Sequence, residues 1–150
     1  CGAPEAAKRR PASFVEGQFS MHFLAAVALR EGSLSWRDYC RHYGDLETTA
    51  LCHRITVVPD AEVESDYPDR LSGRASLSLG NRQFERKIDL PRGEPENFLE
   101  AAEVRQKFDG LASVHLGPAA GALYHAVMSL DAGHDVGELL ALTTRSAPSP

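Results

Sequence analysis

The residues best suited to chemistry lie in the segment Gln18-Phe19-Ser20-Met21-His22-Phe23. Three polar side chains, those of Gln18, Ser20 and His22, enter a stretch whose next residues are apolar. A polar group on a buried helix needs a hydrogen-bond partner or a functional role. Histidine can accept and release a proton near neutral pH, which suits His22 to acid–base catalysis. An ordinary structural interpretation stays open, because Ser20 can bond the carbonyl four residues earlier and His22 can be a satisfied interior histidine.

Two cysteines and two histidines form a second candidate set: Cys40, His42, Cys52 and His53. On a helix, residues two apart point to opposite sides, and adjacent residues diverge as well. This spacing disfavours a zinc site, so we expect no metal here. We expect two core or boundary cysteines and two surface histidines instead.

Five carboxylates fall within ten residues of a stretch bounded by prolines: Asp60, Glu62, Glu64, Asp66 and Asp69. Oxygen-rich segments of this kind bind calcium in EF-hand loops, but the EF-hand spacing and its central glycine are missing. The pattern therefore predicts a solvated acidic loop.

Composition excludes several classes of function. The net charge of −5 argues against nucleic acid as the main partner, because phosphate binding needs a basic face. The longest strongly apolar run, residues 19–29, is too short to span a bilayer, so we expect no membrane partner. Glycine-rich phosphate loops, the G-x-S-x-G elbow and H-E-x-x-H are absent from the sequence. Three cysteines, an odd number without C-x-x-C, favour a reducing, cytoplasmic setting.

The elements that must position these residues are mainly helices in the first third of the chain. Apolar periodicity predicts one helix over 13–31 that ends at Gly32. A short amphipathic helix follows over 36–43, with Ser35 and Asp38 as a capping pair. Asp45 caps a third helix, whose apolar residues are Leu46, Ala50 and Leu51.

The middle of the chain changes to β periodicity. Residues 55–58 are β-branched and predict a strand. Alternating residues on either side of Gly80-Asn81 predict a β-hairpin with a two-residue turn and a sheet covered on one side. Helices return after Asn97, which can cap the first of them, and after Pro118, with a last short helix over 136–144. The order predicts an α+β fold: a small antiparallel sheet with a hairpin, packed against helices, and a helical C-terminal tail.

Several segments together resemble the C-terminal part of the MmgE/PrpD family, which includes 2-methylcitrate dehydratase, cis-aconitate decarboxylase and iminodisuccinate epimerase. The similarity extends over residues 9–115 and keeps the family's order. Its segments are Arg10-Pro11 with Glu16-Gly17-Gln18-Phe19-Ser20, His53-Arg54-Ile55-Thr56-Val57 with the acidic loop, the Gly80-Asn81 hairpin, the run from Leu90 to Asn97, and Lys107-Phe108.

The resemblance implies a domain organisation and a function. We expect a linker at 1–12, an α+β lid domain at 13–115, C-terminal helices at 116–145 and a flexible tail at 146–150. Such enzymes are lyases or isomerases that move a proton α to a carboxylate of a small di- or tricarboxylate, without metal or organic cofactor. An N-terminal helical domain of the same enzyme supplies most of the active site, and the whole enzyme is a homodimer. We therefore expect this chain to be a fragment that is inactive alone.

The resemblance also assigns roles to residues of the first segment. Ser20 and His22 are the expected catalytic residues, and Gln18 and Phe23 are expected to contact substrate. Phe23 occupies the position of a pocket-lining family tyrosine and lacks its hydroxyl group. The family's Lys-x-Tyr-Pro…His stretch has no counterpart in these residues.

A second hypothesis belongs to another class of protein. The chain can be a free-standing α+β module that binds a ligand or a protein without catalysis. Its dimer face would then be the apolar helix over 19–29.

Overall fold

The structure of this chain is a computed structural model, and it describes residues 2–131 and 135–144. Cys1 and the expected flexible tail at 146–150 lie outside the described residues. The elements, in chain order, are α1 (Glu5–Arg9), α2 (Phe14–Gln18), α3 (Met21–Glu31), α4 (Trp36–His42), α5 (Leu46–Cys52), α6 (Ala61–Ser65), β1 (Gly73–Leu79), β2 (Arg82–Ile88), α7 (Ala101–Leu116), α8 (Ala119–Met128) and α9 (Val136–Ala141).

The α+β prediction is confirmed, since the described helices accompany a two-stranded antiparallel sheet. The described residues divide into two compact units. One comprises residues 2–34 and 38–99. The other comprises residues 35–37, 100–131 and 135–144.

The core of the first unit lies where α3 packs against α4 and α5. Its buried apolar side chains are Phe23, Ala26, Val27, Tyr39 and Cys52. Gly32 ends α3 in the left-handed region (φ +71°), as the sequence predicts, because a residue without a Cβ adopts that conformation at no steric cost.

The predicted single helix over 13–31 is wrong, because the chain breaks at Phe19 and Ser20. Ser20 is the N-cap of α3, and its hydroxyl oxygen accepts a hydrogen bond from the Phe23 amide at 3.1 Å. A serine side chain that bonds the backbone in this way competes with helix continuation. Phe19 therefore lies outside both helices and is 58% exposed.

Two further local predictions are wrong. Residues 55–58 form no strand, because the Arg54 and Ile55 amides close turns onto α5 and the two described strands pair with each other. In α5, Asp45 is the N-cap as predicted, but Leu46 is 83% exposed and Thr48 and Cys52 are buried instead. Of the three apolar residues named for this helix, Leu51 packs against the core, whereas Leu46 and Ala50 are exposed.

The hairpin has the predicted turn and an antiparallel register in which Leu77 pairs with Phe84. Its apolar side chains remain partly exposed, Leu77 at 41% and Phe84 at 44%. Helix α6 lies against the opposite, polar face through ion pairs to Arg74 and Lys87. Every residue of β1 and all of β2 except Lys87 is exposed, so the predicted cover on one side of the sheet is not seen in the described residues. Glu62, Glu64 and Asp69 are exposed, as predicted for a solvated acidic segment, but residues 61–65 form helix α6 and not a loop.

The acidic segment binds the hairpin through two cations. Arg74 pairs with Asp60, Glu62 and Glu85. Lys87 pairs with Glu62 at 3.0 Å and with Asp66 at 2.9 Å. These hydrogen bonds raise the pKa of Lys87 and lower the pKa of Glu62.

The second unit contains α7, α8 and α9. Phe108 of α7 and Tyr124 of α8 lie 5.4 Å apart between ring centroids, and the Arg105 guanidinium lies 4.4 Å from the Tyr124 centroid. Glu100 is the N-cap of helix α7, and its amide donates to the Glu103 side chain. The prediction that Asn97 caps this helix is therefore wrong. Asn97 instead donates its side-chain amide to the Leu90 carbonyl at 2.8 Å.

Candidate functional site

The candidate site is centred on His22, in the first turn of α3. Its side chain is fully buried (0% exposed). Neither ring nitrogen has a hydrogen-bond partner among the residues that the structure describes. Buried polar groups in proteins are nearly always hydrogen-bonded, since an unpaired one loses its hydration without compensation. His22 is therefore an exception of the kind that occurs at functional sites.

Helix α1 brings two charged side chains to His22. A carboxylate oxygen of Glu5, Oε1, lies 3.6 Å from His22 Nε2, beyond hydrogen-bond distance. The same oxygen accepts a hydrogen bond from Arg9 Nη2 at 2.7 Å. Arg9 Nε is buried and has no partner in the described part of the chain. A base, a carboxylate and a guanidinium thus share one locality.

Ser20 fixes the position of this group of residues. Its side chain is fully buried, and its hydroxyl donates to the Lys8 carbonyl of α1 while it accepts from the Phe23 amide. The alternative bond, from Ser20 to the carbonyl four residues earlier, is therefore not formed. Ser20 joins the end of α1 to the start of α3, and its one hydroxyl proton is used in doing so.

Phe23 lies in an aromatic cluster that also contains Phe14, Tyr39 and Tyr43. Its ring meets Tyr39 edge to face, with centroids 5.2 Å apart. Phe14 stacks on Tyr43 at 4.3 Å. The Tyr39 hydroxyl donates to the Phe14 carbonyl of α2. Burial raises the pKa of Tyr39, so this phenol stays protonated and keeps the bond.

The structure brings together three of the four residues that the sequence selected and places Gln18 on another helix. Ser20 and Phe23 are joined by a hydrogen bond, and His22 is buried on the same helical turn. Gln18 ends α2 and is exposed. Their catalytic and substrate-binding roles remain predictions.

Glu5 and Arg9 are the residues that sequence reasoning missed, because they lie in the stretch expected to be a linker. A signal was present in their spacing, since a glutamate four residues before an arginine is typical of a helix. Nothing in that spacing indicated that the helix would lie beside His22, which is 13 residues or more further along the chain.

A second buried histidine shows what a satisfied one looks like in this fold. His42 was predicted to be on the surface and is 5% exposed. Its Nδ1 lies 2.9 Å from Thr48 Oγ1 and its Nε2 lies 2.5 Å from Glu31 Oε1. The bond to His42 is the main cause of the lowered pKa of Glu31. Both nitrogens of His42 are paired, and those of His22 are not.

Cys40 and Cys52 were both predicted to lie in the core or at its boundary, and only Cys52 does. Cys52 is buried in the core and burial raises the pKa of its thiol. Cys40 is exposed. Within the residues described, no group of three or more His, Cys, Asp and Glu side chains is placed to hold a metal ion. Over the same ranges no helix has both the length and the apolar character needed to cross a membrane.

The chain matches a known protein family. A family model described as the MmgE/PrpD C-terminal domain matches residues 2–130. No curated protein and no solved structure matches the chain significantly. The matched range includes α1, the candidate site and the hairpin.

Proposed function

Because this chain belongs to the MmgE/PrpD C-terminal domain family, we propose that it is part of a lyase or isomerase acting on a small di- or tricarboxylate. The observation that carries the proposal is the family match over residues 2–130. The proposed chemistry is the transfer of a proton at a carbon α to a carboxylate, without metal or organic cofactor. Such a reaction needs an acid–base group in a site that excludes water.

His22 is the proposed acid–base residue of this chain. Its burial and its two unpaired ring nitrogens support that role, since a histidine held by other side chains would have to break those bonds to transfer a proton. Ser20 positions the turn that carries His22, Phe23 gives the turn an aromatic support, and Gln18 contacts substrate from the end of α2. The proposed partner is an N-terminal helical domain of the same enzyme, and this chain closes over the active site of that domain. We also propose that two copies of the whole enzyme form a homodimer in the cytoplasm.

The test is turnover of 2-methylcitrate and cis-aconitate by two forms of the protein. The 150-residue chain alone is expected to be inactive. The same chain joined to an N-terminal helical domain of the family is expected to be active. In the active form, His22→Gln is expected to lower kcat by at least a hundredfold, and the exposed His53→Gln is the matched control.

Three results would contradict the proposal. They are turnover by the chain alone, no turnover of any small di- or tricarboxylate by the joined form, and equal activity of the two histidine variants. Circular dichroism of each variant establishes that it is folded.

A second candidate function is that of a binding module without catalysis. Exposed apolar side chains in and beside α3 favour it: Phe19 at 58%, Met21 at 45% and Leu29 at 50%. If this face joins two copies, light scattering shows a dimer that Leu29→Glu converts to a monomer. A compact monomer at all concentrations would exclude this use of the face.

A further inference from the structure

The Glu5 carboxylate occupies a position that a carboxylate ligand could take. It accepts a hydrogen bond from Arg9 Nη2 at 2.7 Å and lies 3.6 Å from His22 Nε2. Guanidinium groups bind carboxylates strongly because two N–H donors match two oxygens. Here Glu5 uses the Nη2 donor, and the neighbouring Nε–H of Arg9 is buried without a partner in the described chain.

Glu5 leaves hydrogen-bonding groups of both Arg9 and His22 without a partner. Three buried nitrogens of its two neighbours have no hydrogen bond to any described residue: Arg9 Nε and the two ring nitrogens of His22. A ligand carboxylate in the place of Glu5 would have two oxygens to pair with both Nη2 and Nε of Arg9, the two-donor geometry typical of arginine, and would lie beside His22 Nε2. Each new bond would satisfy a group that is now buried and unpaired.

We propose that Arg9 and His22 form a binding site for a carboxylate group of a small molecule, and that Glu5 occupies this site until the ligand displaces it. The exchange leaves the charge of the site unchanged, since one carboxylate replaces another. The Glu5 side chain is 47% exposed, so it can turn into solvent while α1 stays in place.

Hydrogen bonds other than the one to Glu5 fix the position of Arg9. Its Nη2 also donates to the Ile55 carbonyl at 3.3 Å, and the adjacent Lys8 carbonyl accepts from Ser20. These bonds attach the end of α1 to two other parts of the same unit. The guanidinium therefore keeps its position when the Glu5 carboxylate leaves.

The inference rests on the proposed function only for the choice of a small polycarboxylate as the ligand. Succinate is the probe, and the 150-residue chain is the protein. Long-range proton–nitrogen NMR spectra follow the His22 ring nitrogens during the titration. We expect saturable shifts of these resonances with succinate and none with succinamide, which has the same carbon chain and no charge.

Three variants test the assignment of residues. Arg9→Gln is expected to weaken succinate binding at least tenfold, because it removes the charged donor. Glu5→Gln is expected to tighten binding about two- to fivefold, because it removes the charge of the competing carboxylate. Arg10→Gln changes an exposed arginine next to Arg9 and is expected to have no effect beyond the experimental error.

The inference is overturned if succinate leaves the His22 resonances unchanged, if Arg10→Gln weakens binding as much as Arg9→Gln, or if Glu5→Gln weakens binding. Failure of the proposed function gives a different pattern. Saturable binding through Arg9 without turnover by the joined enzyme would leave the site standing and reject the lyase or isomerase. Turnover by the joined enzyme that does not change with Arg9→Gln would support the lyase or isomerase and reject the carboxylate site.

Discussion

Gly17 lies so close to Tyr39 that a Cβ atom at position 17 would overlap the phenol oxygen. The contact exists because the Tyr39 hydroxyl reaches the Phe14 carbonyl across the face of α2. This glycine is required for space, since its backbone has helical geometry and needs no left-handed conformation.

Gly17→Ala is therefore expected to destabilise the chain by about 1–3 kcal/mol through overpacking. Urea denaturation measures the change. The matched control is Gly110→Ala in α7, where a Cβ meets nothing within 4 Å and helix propensity gives about 0.5–1 kcal/mol of stabilisation. In a Tyr39→Phe background the cost of Gly17→Ala should shrink, because the overlapping oxygen is gone. An equal cost in both backgrounds would reject this explanation.

Ser20→Ala separates a structural role of Ser20 from a catalytic one. The substitution removes the N-cap of α3 and the bond to the Lys8 carbonyl, so we expect a loss of about 1–2 kcal/mol in the free energy of unfolding. Ser13→Ala, at the N-cap of the short helix α2, should cost less. If Ser20 acts only by positioning, the joined enzyme keeps its kcat per folded molecule. A hundredfold loss of kcat at unchanged stability would instead assign the hydroxyl to catalysis.

The lowered pKa of Asp45 should make the stability of the chain depend on pH. The Thr48 amide, the Thr48 hydroxyl and Arg30 stabilise its charged form and lower its pKa to about 2. A carboxyl group with a lowered pKa in the folded state adds stability above its pKa in the unfolded chain, roughly 3.9, and loses that contribution as the pH falls towards the folded value. The urea midpoint should therefore fall from pH 4 to pH 2.

Asp45→Asn should flatten that dependence, because asparagine also caps helices but carries no charge to protonate. The matched control is Glu47→Gln, which removes an exposed carboxylate that also pairs with Arg30 but does not cap α5. Parallel pH curves for the wild type and Asp45→Asn would contradict the prediction.

Glu62 is expected to hold α6 against the hairpin, because it pairs with both Arg74 and Lys87. Glu62→Gln should weaken this attachment, and hydrogen exchange at the α6 amides should become faster. High salt should have the same effect on the wild type, since exposed ion pairs are screened. Glu64→Gln is the control, as the described residues offer Glu64 no ion pair. Equal exchange rates in the two variants would show that α6 is held by other contacts.

The sequence was informative where a pattern depends on neighbouring residues alone. The Gly80-Asn81 turn, the Gly32 helix end and the Asp45 cap are confirmed, because each is set by local backbone geometry. Residues 55–58 have strand propensity, but no described strand pairs with them, so propensity failed there. The candidate site shows the same difference between features set by neighbouring residues and features set by packing. His22 could be selected from its apolar surroundings, whereas Glu5 and Arg9 reach it only through the way α1 packs in three dimensions.

The two side-chain hydrogen bonds that link α1 to distant parts of its unit end on main-chain carbonyls, those of Lys8 and Ile55. Every amino acid has a carbonyl, so the side chain at position 8 can change without loss of its bond. Position 55 is limited only by the packing of its side chain against the core. Ser20 and Arg9 supply the donors and have no such freedom. Sequence drift in this region should therefore be uneven, with wide tolerance at the acceptors and little at the donors.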